Sequence, residues 1–167
     1  TFLGMQAVVE QMKAAGGGSI INVSSIEGLR GAPMVHPYVA SKWAFEGVSE
    51  ELAHELAPFG IRVAIIEPGV TKSAIFAKNT DFGGHRDYEP HWRRMFQFYA
   101  AGLANATDPF DVAAVVHHAI TTDSPTLRYP VSWAGPEIID NRQRMTDEQW
   151  VALGAIADDD QYYRAFR

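Results

Sequence analysis

Arg62-Val63-Ala64-Ile65-Ile66-Glu67-Pro68-Gly69 is a β-branched, apolar run closed by a Pro-Gly breaker, and it reads as a buried strand ending in a turn. Just before it, Pro58 and Gly60 stop a long helix predicted over roughly Tyr38 to Ala57. Further upstream, Ser19-Ile20-Ile21-Asn22-Val23-Ser24 is another β-branched run, also read as a buried strand. A loop containing Gly and Pro fills the space from Ile26 to Pro37. Strand, loop, helix and strand in this order make a βαβ unit, hence a parallel pair with a right-handed crossover.

Working outward, Phe2 to Ala15 is predicted helical, with Leu3, Ala7, Val8, Gln11 and Met12 spaced as one stripe. Gly16-Gly17-Gly18 ends it. This triplet precedes a strand rather than following one, so it reads as a turn and not as a phosphate loop. Ser73 to Leu103 is mixed, aromatic and partly helical. It stands where the sheet would otherwise continue, and residues 74–104 are expected to form a substrate lid. Asp108 reads as an N-cap with Pro109 at the first position of a helix to Thr121. Leu127 to Trp133 reads as a third strand. Thr146-Asp147-Glu148-Gln149 opens an amphipathic helix to Ala157. One domain over 1–167 is expected.

The charge balance narrows the partners. A net charge of −6 and a pI near 5.4 argue against nucleic acid or an anionic membrane. There are no cysteines, so no disulfide framework and no thiolate site, which suits a reducing cytoplasm. No apolar stretch approaches the roughly 20 residues of a membrane helix, and no signal peptide is visible.

Tyr38 and Lys42 carry the chemistry. Four residues is about one helical turn, so phenol and ammonium leave the same face. A free tyrosine has a pKa of about 10, and a nearby positive charge favours its phenolate. A tyrosine so tuned can pass a proton to or from an alcohol oxygen, while the Ser25 hydroxyl holds that oxygen. This is the chemistry of a carbonyl–alcohol dehydrogenase.

Gly18 through Ser25, then Tyr38-Val39-Ala40-Ser41-Lys42, Ala57 through Val63 and Glu67-Pro68-Gly69 together resemble the short-chain dehydrogenase/reductase family. The match is close over residues 1 to 73 and looser beyond. The early segment is similar to hydroxysteroid dehydrogenase-like members. The resemblance implies an α/β fold, the C-terminal portion of a doubly wound Rossmann-type parallel sheet flanked by helices. It implies NAD or NADP as cofactor, a small-molecule alcohol or ketone as substrate, and a homo-oligomer, dimer or tetramer. It gives Ser25 the orienting of the substrate oxygen, Tyr38 the acid/base role, and Lys42 the tuning of the phenol together with a ribose contact. Pro68, Gly69 and Val70 match the loop against the nicotinamide. Ser73 stands where the family usually has threonine, and Thr71 is a competing hydroxyl for that contact. The family's glycine-rich TGxxxGxG turn and NNAG segment do not occur here, so the chain is expected to correspond to the C-terminal two-thirds of such an enzyme, without the first βαβ half.

Other residues have plainer readings. His117 and His118 are adjacent and point to different helix faces; His85 and His91 lack a third ligand, so no metal is expected. His36 is either pocket-lining or an exposed loop residue. Trp92, Phe96, Phe98 and Tyr99 pack in the core or an interface, or form a pocket wall. Asp158-Asp159-Asp160 reads as a solvated helix-end cluster. The resemblance to hydroxysteroid dehydrogenase-like members implies a bulky, apolar alcohol or ketone, and the aromatic insertion after Ser73 is consistent with such a pocket. A module for oligomerisation or binding, catalytically silent, is the competing function.

Overall fold

The computed structural model describes residues 2–78 and 86–166. Strands β1 (Gly18–Val23), β2 (Ile61–Pro68) and β3 (Arg128–Val131) form one parallel sheet in that order. The βαβ unit is as expected: α2 (His36–Leu56) joins β1 to β2 and packs back on them. The pleat of β2 sorts its side chains by a period of two. Ile61 and Val63 turn towards Met5 of α1 (Phe2–Ala14) and Leu56 of α2. Ala64 and Ile66 turn to the opposite face, against Ala119 and Val115 of α4 (Pro109–Thr121). Helices on both faces make this a doubly wound arrangement.

Several boundaries differ from expectation for identifiable reasons. Pro37 falls inside the first turn of α2, where its missing N–H is no loss, so the helix begins at His36 and Tyr38 still stands in its first turn. Gly17, at φ 148°, meets the turn before β2: a Cβ there would lie 2.8 Å from the Gly60 carbonyl oxygen. β3 ends early, because Ser132 and Ala134 take positive φ. A helix without counterpart in the sequence reading, α5 (Gly135–Arg144), follows directly.

The remaining helices build a separate cluster at the carboxyl end of the sheet. Here α3 (Glu89–Ala104), α6 (Asp147–Ala152) and α7 (Asp159–Phe166) surround Ile138, Ile139, Leu153 and Phe166. The capping box forms as read, with Thr146 and Gln149 satisfying each other's backbone, but α6 stops at Ala152 rather than Ala157. The acidic triplet opens α7 instead of merely facing water: Asp158 accepts from the Gln161 N–H at 2.8 Å. Asp159 is gripped by Arg93 at 2.7 Å and Arg94 at 2.8 Å. Residues 79–85, which include His85 and part of the expected lid, lie outside the described residues. The rest of that insertion is a short turn (Ala74–Lys78) followed by α3.

Candidate active site

Ser25 follows the end of β1 in extended backbone and is buried. Its Oγ accepts the Glu27 N–H at 3.2 Å, capping a short turn over Ile26–Gly28. One lone pair is thereby committed locally, while the O–H stays able to donate. The first turn of α2 brings Tyr38 and Lys42 to the same end of the sheet. The Lys42 ammonium sits 5.6 Å from the Tyr38 ring centroid and donates to the Val23 carbonyl at 3.2 Å. Partial burial lowers the Lys42 pKa, and Glu46, one turn further along α2, opposes that shift. Tyr38 is 40% exposed, so its phenol remains reachable.

The Pro68–Ser73 segment leaves β2 beside these groups. Its backbone is tied to the β3–α5 turn: the Gly69 N–H reaches Val131 O at 2.8 Å and the Val70 N–H reaches Trp133 O at 3.1 Å. Glycine is required at 69, because a Cβ there would lie 2.4 Å from the Trp133 carbonyl oxygen. The two competing hydroxyls part company. Thr71 Oγ1 lies 2.6 Å from Ser132 Oγ, whereas Ser73 is exposed and accepts only a long contact, 3.4 Å, from the Ile75 N–H. All eight nominated residues thus lie at the carboxyl ends of β1 and β2, where parallel sheets present their crevices.

The sequence reading missed the polar groups beneath this site. Glu67 is 0% exposed and faces Glu46, with Arg128 between them: Arg128 Nε stands 3.2 Å from Glu46 and 3.4 Å from Glu67. Burial and then the neighbouring Glu46 charge push Glu67 up to about 8, against the pull of Arg128. A carboxylate directly after the apolar run Val63-Ala64-Ile65-Ile66 was the available signal. Tyr99 of α3 was read only as one of several aromatics. Its phenol is raised to about 12, chiefly by burial, then by Glu27 and by Tyr38, with Arg30 opposing, so Tyr99 of α3 comes near enough to Tyr38 to sense its charge. Phe98 packs on Trp133 and Phe166. His36 lies in the first turn of α2 and is exposed.

The short chain dehydrogenase family profile matches residues 1–82. A 3-alpha-(or 20-beta)-hydroxysteroid dehydrogenase of Mycobacterium tuberculosis is 39% identical over 123 residues, covering 74% of this chain and 42% of that protein. A trans-4-hydroxycyclohexanecarboxylate dehydrogenase of Sinomonas cyclohexanicum is 49% identical over 76 residues, 46% of this chain and 29% of its own. Among solved structures, a short-chain dehydrogenase from Streptomyces avermitilis superposes with a TM-score of 0.74 at 30% identity, covering 91% of this chain and 57% of the other. The chain spans about half the length of the curated relatives it matches. Sequence and architecture point to the same relatives, and this chain belongs to the short-chain dehydrogenase/reductase family.

Proposed function

We propose that the protein is an NAD(P)-dependent oxidoreductase that interconverts a secondary alcohol and a ketone. The observation that carries this is the Lys42 ammonium standing one helical turn from Tyr38, 5.6 Å from its ring, and bonded to the Val23 carbonyl two residues before the buried Ser25. The Ser25 O–H holds the substrate oxygen. Tyr38 gives that oxygen its proton on reduction and takes it on oxidation. Lys42 supplies positive charge to the phenol and, with two N–H groups free beyond its bond to Val23, suits a ribose diol. Such an arrangement fits a nicotinamide cofactor, with the Pro68-Gly69-Val70 backbone as a rigid wall and Ser73, more than the engaged Thr71, as the hydroxyl available to it. That cofactor, when bound, supplies or accepts the hydride. The named relatives are dehydrogenases of hydroxysteroids and of trans-4-hydroxycyclohexanecarboxylate, which supports an alcohol on a ring-bearing substrate here.

The test is turnover of cyclic secondary alcohols by the full-length protein with NAD or NADP. Tyr38→Phe should lower kcat by at least about 10²-fold while leaving cofactor binding largely in place. A variant keeping a tenth of the wild-type rate would sink the assignment of Tyr38, and no turnover by the wild type with either cofactor would favour the catalytically silent reading.

A further inference from the structure

One cavity near this site is lined by charged side chains that the reaction does not use. It measures about 60 Å³ and lies among the loop over residues 27–35, α3 and α7. Glu27, Arg30 and Arg94 line it, and they are only 6%, 5% and 4% exposed. Glu27 pairs with Arg30. Arg94 donates Nε to Asp159 at 2.8 Å and Nη2 to the Ile156 carbonyl at 2.6 Å, with its guanidinium 4.2 Å from the Tyr162 ring. Three buried atoms here have no hydrogen-bond partner: Arg94 Nη1, Arg30 Nε and Glu27 Oε2. Leaving such atoms unpaired is costly, so a fold that keeps three of them in one place points to a missing ligand group. Donors dominate the unpaired set, since two of the three atoms belong to guanidiniums.

The cavity also touches the reacting residues. The Glu27 N–H is held by Ser25 Oγ, Val35 in its wall immediately precedes α2, and Tyr99 in its wall feels the charge of Tyr38.

We propose that this cavity is a subsite for a carboxylate carried by the substrate, so that the protein works on a cyclic hydroxy acid and its keto acid. Arg94 Nη1 and Arg30 Nε donate to the carboxylate, while Phe98 and Tyr99 meet the ring between it and the reacting carbon. Glu27, whose pKa burial raises against the pull of Arg30, repels such a group less than an ordinary carboxylate would. The inference rests on the redox reading for the reaction and adds the substrate class.

The test uses the full-length protein with its cofactor and a matched pair of alcohols, 4-hydroxycyclohexanecarboxylate and 4-methylcyclohexanol. The acid should be preferred in kcat/KM by about tenfold or more, and Arg94→Gln should pull that ratio towards one. A purely structural role for Arg94 lowers both substrates in parallel and leaves the ratio in place, which would overturn the proposal. Because Arg94→Gln also frees Asp159, a second measurement needs no variant. In calorimetry on the wild type, cyclohexanecarboxylate should bind about tenfold more tightly than cyclohexanecarboxamide or better; equal binding overturns the subsite. Tight binding of the acid without oxidation of either alcohol defeats the redox reading and leaves the subsite standing. Oxidation of both alcohols with equal kcat/KM does the reverse.

Discussion

Lys42 sits between two influences that oppose each other. Burial depresses its pKa, and Glu46 one turn away raises it. The ammonium that results is held by a single backbone carbonyl and aimed at Tyr38. Lys42→Ala should therefore shift the alkaline limb of the pH–rate profile upwards and weaken cofactor binding at the same time, because one charge serves both. Rate profiles and cofactor titrations of the full-length variant check this. A profile that stays in place while only the melting temperature falls would make Lys42 structural. Ser25 illustrates the same economy at short range: its oxygen caps the Ile26–Gly28 turn and leaves its proton for other use.

Between elements, the joint that matters is the one linking α2, β2 and β3. Glu46, Glu67 and Arg128 come one from each, and Glu50 of α2 adds a 2.6 Å contact to Arg128. Glu67 has a folded pKa of about 8 against an ordinary 4.5. The folded state therefore holds a proton that the unfolded chain has lost, and the stability this group contributes is complete below its unfolded value and lost as pH rises through about 8. Thermal unfolding between about pH 5 and about pH 8 should show the wild type losing stability relative to Glu67→Gln as pH rises. Parallel curves would mean that Glu67 is ionised in the fold. The joint adjoins the candidate site, since Glu46 follows Lys42 on α2 and Pro68 follows Glu67 on β2.

At the scale of the molecule, the sheet and its flanking helices form one body, and the helices at its carboxyl end form a second cluster over it. The tie within that cluster is Asp159, which binds both Arg93 and Arg94 and is held well below the usual carboxylate range, first by Arg93 and then by Arg94. Asp159→Asn should loosen α3 from α7. Hydrogen exchange should then speed up in both helices while the β1–β2 core keeps its protection. Unchanged exchange in α3 would show that the packing of Phe98 on Phe166 suffices. Because α3 carries Tyr99 and Arg94, the same variant connects this tie to the cavity.

The sequence by itself determined the βαβ unit, the parallel pairing, the α4 cap at Asp108 and the capping box at Thr146, because each depends on periodicity and breakers within a few residues. It likewise put Tyr38 and Lys42 on one helical face, since their spacing alone fixes that. Boundaries slipped where local chemistry competed, as at Pro37 and at the positive-φ residues ending β3. Only the tertiary structure decided that Arg94 and Arg30 share a cavity with Glu27, that Glu67 meets Glu46 and Arg128, and that α7 opens at the acidic triplet. Apart from the Glu27–Arg30 pair and the Asp158 cap, those partners lie far apart in sequence on different elements. No local pattern records such a meeting, and what a buried charge costs or does is set by the neighbours that folding brings to it.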